Sequence, residues 1–170
     1  MYGLVTANGF LATGARRILL IGAETMDRIT DPADRGTAIL FGNGAGAVVI
    51  DALADGDEPQ LLGWDVGSDG TAEHILYSEV GGYMQMDGRE VFRRAVRVMV
   101  RSAEDAMARA GVSAEDIDLV VPHQANIRII DAACDRLGIE RDRAATVLQS
   151  TGNTSAASIP LALADALDSG

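Results

Sequence analysis

Between Ile117 and Ile130 the chain changes its period, and that change limits what can be built around it. Ile117 to Val121 is a short apolar run of β type, Pro122 ends it, and beyond His123 the apolar positions recur at helical spacing. A strand that feeds a helix through a tight turn predicts an α/β unit. Open α/β sheets gather their polar chemistry at the carboxyl end of such strands, beside the first turn of the next helix. His123 stands there, and the chain has one other histidine, His74. The pattern returns later. Ala145 to Leu148 is apolar, Gly152 makes a turn, and Asn153 precedes a last helix expected over Thr154 to Leu167, with Pro160 tolerated near its start. Two parallel-type units thus offer a histidine and an asparagine, each able to donate a neutral hydrogen bond.

The rest of the chain fits one α/β domain or a piece of one. Tyr2 to Thr13 reads as a helix stopped at Gly14, and Arg17 to Gly22 as a strand buried on both faces. Phe41-Gly42-Asn43-Gly44-Ala45-Gly46-Ala47 imitates a phosphate-binding loop, but a β-branched run follows instead of a helix. Close backbone packing between strands is the better account of these glycines. Gln60 to Val66 is expected as a further strand and Gly67 to Gly88 as loop, with His74 structural or at the surface. The clearest helix spans Arg89 to Ala110, where Phe92, Ala95, Val96, Met99, Ala103, Ala106, Met107 and Ala110 form one stripe and Gly111 ends it. Ser113 to Asp116 resembles a capping turn. After His123, the residues Ile127, Ile130, Cys134 and Leu137 share a helix face, so Cys134 is expected to be an inert core thiol.

Composition excludes several functions. A net charge of −11 argues against nucleic-acid binding, which requires a basic face. No apolar run approaches the ~20 residues of a membrane span, no export leader is visible, and a single cysteine fits a reducing compartment. A cytoplasmic protein without a bound metal is the expectation. All 14 basic residues are arginine, and Arg89, Arg93, Arg94, Arg97 and Arg101 crowd the polar faces of one helix. They read either as a solvated face or as a strip for an acidic or phosphorylated partner.

A neutral histidine and an asparagine aimed at one point suit the stabilisation of an oxyanion or enolate. Spacing alone leaves a plainer reading open, in which the histidine is satisfied by backbone and the asparagine is an ordinary helix cap.

Four separated motifs bear on that choice. They are Asp31-Pro32-Ala33-Asp34-Arg35-Gly36-Thr37, the glycine segment 41–47, Pro122-His123-Gln124-Ala125-Asn126-Ile127-Arg128-Ile129, and Gly152-Asn153-Thr154-Ser155-Ala156-Ala157-Ser158-Ile159-Pro160. In this order and spacing they resemble β-ketoacyl-acyl carrier protein synthase III, and the resemblance runs from Tyr2 to the end. It implies a thiolase-like fold, two similar α/β halves in layered α-β-α-β-α order, working as a homodimer. Residues 1–50 would be the remainder of the first half and 51–170 most of the second. The implied reaction joins a short acyl-coenzyme A to malonyl-acyl carrier protein with loss of carbon dioxide, and needs no cofactor beyond the acyl-coenzyme A substrate.

Carried over by position, the resemblance assigns His123 and Asn153 to the enolate. It assigns Arg35, Gly88, Arg89, Phe92 and Asn126 to the coenzyme A tunnel and site, and Arg93 and Arg128 to docking of the acyl carrier protein. Met26, Leu40 and Met86 become pocket candidates. The family's acyl-accepting cysteine, in a Cys-Ala-Gly-Phe motif, would fall just before Met1, and a closing strand hairpin would follow Gly170. The chain alone is therefore expected to be inactive and to self-associate through unmatched apolar surface. A polyketide starter-unit synthase, an acyltransferase relative and a non-catalytic partner are the competing functions.

Overall fold

A computed structural model describes residues 1–54 and 56–169. Helix α1 (Tyr2–Ala12) ends at a turn where Gly14 takes φ 107°, a left-handed conformation that glycine adopts without strain. Strand β1 (Arg17–Glu24) follows and pairs antiparallel with β2 (Gly44–Asp51), from Arg17 opposite Asp51 to Glu24 opposite Gly44. An Arg17–Asp51 fork with contacts of 2.6 and 2.9 Å closes one end.

The inner face of this ribbon lies on the start of α5 (Ser158–Ser169) and the helical turn before it. A Cβ on Gly22 would stand 2.3 Å from the Ala156 carbonyl oxygen, and one on Gly46 would stand 2.9 Å from the Pro160 side chain. The glycines therefore admit a helix start against the ribbon, where sequence suggested packing between strands.

The outer face corrects a second expectation. Leu19 and Ile21 are each 60% exposed and Val49 is 61% exposed, so β1 is covered on one side only. An apolar run records that both faces dislike water but not whether both are covered. Such a face drives association. Replacing Leu19 and Ile21 together by lysine should lower the sedimentation-average mass of the chain at micromolar concentration, and an unchanged mass would place the contact elsewhere.

Residues Gln60 to Val66 form no strand among the described residues. They run along helix α2 (Gly88–Ala110), with Ser102 donating to Asp65 at 2.9 Å and the Arg109 guanidinium bonded to the Trp64 carbonyl and lying over its ring. The segment was apolar because it covers a helix. A short hairpin, β3 (Leu76–Ser78) with β4 (Met84–Met86), lies in the stretch expected to be loop. It turns near Gly81, at φ 77°. Helix α2 matches its sequence pattern: Asp87 caps it by accepting from the Arg89 and Glu90 amides, and Gly111 ends it at φ 73°.

The expected strand Ile117 to Val121 reduces to one parallel bridge, Val120 with Ala144. Val120 donates to Arg143 O at 2.8 Å and its own carbonyl accepts from Ala145 at 2.9 Å. Helix α3 (Ile127–Leu137) packs along α2 and buries Ile129, Ile130, Ala133 and Cys134, while Ile127, at its first position, is 42% exposed. Ile130, Cys134 and Ala144 form a core against Val120 and Leu148, the first residue of the short helix α4 (Leu148–Thr151). No described helix is long and apolar enough to cross a membrane.

Candidate active site

Pro122 ends the bridge segment, and Ala125 donates back to His123 O at 2.9 Å, turning the chain tightly. Asn126, not His123, caps α3: its side chain accepts from the Arg128 amide at 2.9 Å. His123 therefore hangs in the turn ahead of the helix. Gln124 holds the turn in place. Fully buried, it donates to Pro122 O (2.9 Å) and Ala145 O (3.2 Å) and accepts from the Val147 amide (2.9 Å). The bonds to Ala145 and Val147 tie the histidine turn to the segment that leads to Asn153, and the bond to Pro122 stiffens the turn itself.

Asn153 is fixed from its other side. Its amide donates to Leu40 O at 2.8 Å, and its carbonyl accepts from Gly42 at 3.0 Å, a parallel bridge centred on Phe41. A Cβ on Gly42 would lie 2.2 Å from the Thr151 carbonyl oxygen. Gly42→Ala should therefore push this bridge apart, costing ~2 kcal/mol of stability by overpacking, read as a lowered urea midpoint; an unchanged midpoint would show that the loop yields freely.

The side chain of Asn153 has a determined orientation. The Ser155 amide donates to Oδ1 at 3.0 Å, and only an oxygen can accept there, so Nδ2 with its two protons faces away. Ser155 makes this contact from φ 49°, the one positive φ at a non-glycine position among the described residues. Its hydroxyl contacts Glu24 Oε1 at 3.2 Å. His123 is half-buried, and Nδ1 lies 2.6 Å from Ser158 Oγ. The turn 153–158 thus touches both predicted donors.

Burial pushes the His123 pKa below its ordinary value of 6.5, so the imidazole is neutral at neutral pH. The unfolded chain binds this proton more readily than the folded one, so folding stability is complete above about pH 6.5 and falls as pH drops below it. Urea titrations from pH 7 to 5 should show that decline, and His123→Gln should remove it. The lowered carboxylates, such as Asp34 beside the Thr37 hydroxyl and the Gly36 amide, act only below about pH 4. An identical decline in the variant would assign it to other groups.

The remaining candidates lie on several different elements. Asn126, Leu40, Gln149 and Gly152 line a cleft of about 370 Å³. A larger hollow of about 840 Å³ lies at the far end of the ribbon, around Leu11, Arg16 and Asp51, and includes none of the candidates. Arg35 is exposed on a turn stiffened by Asp34, whose carboxylate accepts from Gly36 and Thr37. Gly88, Arg89, Phe92 and Arg93 share the first turns of α2; Arg89 is exposed, Phe92 half-buried, and Arg93 pairs with Glu90 at 2.6 Å. Arg128 is exposed on the first turn of α3. Met26 is buried, and Leu40 and Met86 are half-buried.

Cys134 lies in the core, where burial pushes its thiol pKa up, so it is a poor nucleophile. No cluster of metal ligands occurs among the described residues. Sequence reasoning gave no part to Gln124, Ser155 or Ser158. The Ser-x-x-Ser spacing at a helix start, directly after Asn153, was the one signal available for the serines.

Comparison with known proteins identifies the family. Residues 1–70 match the family described as 3-oxoacyl-(acyl-carrier-protein) synthase III, and residues 107–170 match its C-terminal region. A β-ketoacyl-(acyl-carrier-protein) synthase III of Staphylococcus epidermidis is 46% identical over all of this chain and 54% of its own length. The 3-oxoacyl-(acyl-carrier-protein) synthase III of Aquifex aeolicus superposes with a TM-score of 0.95 at 42% identity, over 99% of this chain and 55% of that one. The priming β-ketosynthase of the R1128 polyketide pathway gives 0.84 at 37% identity, over 97% and 54%. The chain spans about half the length of the relatives it matches. Two family regions in order, close relatives along the whole chain and a shared thiolase-like α/β fold place it: the chain belongs to the 3-oxoacyl-(acyl-carrier-protein) synthase III family.

Proposed function

We propose that this chain supplies the enolate-stabilising part of a synthase that condenses a short acyl-coenzyme A with malonyl-acyl carrier protein, the step that opens fatty-acid synthesis. The observation that carries the reading is the turn 153–158, which contacts both a neutral histidine and an asparagine whose NH2 group is turned outward. Both groups donate to the thioester oxygen of the malonyl unit. The bond to the terminal carboxylate breaks, carbon dioxide leaves, and its electron pair passes into an enolate whose oxygen carries the charge. The enolate carbon then attacks an acyl thioester on a cysteine outside this chain, and the cysteine thiolate departs as the new carbon–carbon bond forms. Donors aimed at an oxyanion act most strongly where water is excluded.

Residues 1–50 belong to the first α/β half in this reading and 51–170 to the second. Arg35, Gly88, Arg89, Phe92 and Asn126 line the approach of coenzyme A. Arg93 and Arg128, exposed on two packed helices, meet the acidic carrier protein, and the whole enzyme is a cytoplasmic homodimer. It takes acyl-coenzyme A as substrate and no further cofactor. The 37% identity to a polyketide priming ketosynthase supports a second reading, in which the same chemistry opens a polyketide chain.

The test uses the full-length protein that contains this sequence. Acetyl-coenzyme A should add the mass of one acetyl group, at a cysteine outside residues 1–170, and malonyl thioester should then release carbon dioxide. Label on Cys134 would overturn the assignment of the nucleophile. Acyl transfer without carbon dioxide release would favour a plain acyltransferase.

A further inference from the structure

Ser158 Oγ has one proton and two neighbours able to take it: His123 Nδ1 at 2.6 Å and the Ser155 carbonyl oxygen at 2.8 Å. The serine is fully buried, so water does not relieve the competition. Which neighbour receives the proton decides the character of the histidine. If the hydroxyl donates to the carbonyl, Nδ1 must carry the ring proton, and Nε2 keeps a bare lone pair. A lone pair repels a developing oxyanion. If the hydroxyl donates to Nδ1, the ring proton sits on Nε2 and becomes a donor.

The donor role given to His123 selects the second arrangement, because it requires the ring proton on Nε2 and leaves Nδ1 to accept from Ser158. The Ser155 carbonyl already accepts from the Ser158 backbone N–H, which closes the helical turn 155–157, so it does not need the hydroxyl. For Nδ1 the hydroxyl is the polar partner seen among the described residues. With the ring proton on Nε2, Nδ1 is a bare acceptor, and leaving it without a donor would cost about 1–3 kcal/mol.

We propose that Ser158 is a positioning residue which, by donating its hydroxyl to Nδ1, fixes the proton of His123 on Nε2. One turn then prepares both donors: the Ser155 amide turns the NH2 of Asn153 outward, and the Ser158 hydroxyl turns the N–H of His123 outward. The two groups lie three positions apart in the chain, and Ser155 holds a positive φ of 49° in that turn. The neutral state that burial imposes on His123 is what makes the tautomer matter, since a doubly protonated ring would have no choice to make.

The proposal rests on the donor role given to His123, but its test does not need activity. In the uniformly nitrogen-15-labelled chain at neutral pH, long-range proton–nitrogen correlation spectra separate protonated from bare imidazole nitrogens, and only His74 and His123 contribute. Wild type should show a protonated Nε2 and a bare Nδ1 at His123. Ser158→Ala should move both nitrogens toward averaged shifts, Ser158→Thr should restore the wild-type pattern, and His74 should stay unchanged in both. A protonated Nδ1 in wild type, or a Ser158→Ala spectrum identical to wild type, would overturn the proposal. A protonated Nε2 together with undiminished decarboxylation in His123→Ala full-length protein would instead count against the donor role and leave the tautomer assignment standing.

Discussion

Asn153→Ala in the full-length protein is expected to release carbon dioxide from malonyl thioester ~10²–10³ times more slowly than wild type, with KM little changed. The loss falls on kcat because the amide meets substrate most strongly when the thioester oxygen carries charge. His123→Ala should cost a similar factor. The two together should cost much less than the product of the single losses, since donors to one oxygen act as a unit. Asn153→Asp sharpens the test. The Ser155 amide can still bond a carboxylate oxygen, so the turn survives, but the outward group changes from a donor to a negative charge. Activity should fall at least as far as in the alanine variant while the urea midpoint holds. Fully retained decarboxylation in Asn153→Asp would show that the asparagine is only a helix cap.

The second large effect concerns stability. Gln124→Leu removes two donated bonds and one accepted bond from a fully buried site. Leucine fills the space but leaves the Val147 amide and the Ala145 carbonyl without these partners. Each orphaned buried group costs about 1–3 kcal/mol, so the variant should lose ~3 kcal/mol or more. That is a large share of the 5–15 kcal/mol that usually holds a domain together. Gln124→Glu should lose at least as much, because an ionised carboxylate would be buried against the Pro122 and Ala145 carbonyl oxygens and a protonated one could donate to only one of them. A loss below ~1 kcal/mol in the leucine variant would mean that water reaches the gap.

What the sequence could show follows the range of the forces involved. Helix α2 was legible to within a residue because its stripe and its Gly111 stop are local and agree with one another. The apolar faces of α3 and the turn at Pro122 were legible for the same reason. Strands fared worse. Gln60 to Val66 and Ile117 to Val121 are apolar enough for strands, but pairing needs a neighbour at the right distance, and the first lies against a helix while the second meets Ala144 at one point.

The candidate site divides along the same line. Position in the chain placed His123 and Asn153 in turns beside helix starts. Their usable faces depend on Ser155 and Ser158, and on a buried Gln124 that joins segments more than twenty positions apart. The Ser158 and Val147 bonds exist only once the segments meet.

The central claim is that His123 and Asn153 serve one oxygen. The direct measurement is a crystal structure of the full-length protein holding a malonyl thioester analogue that cannot lose its carboxylate. The account predicts His123 Nε2 and Asn153 Nδ2 both at about 2.7–3.1 Å from the thioester carbonyl oxygen. An oxygen bonded by neither group, or the two donors engaged with different atoms of the ligand, would contradict it.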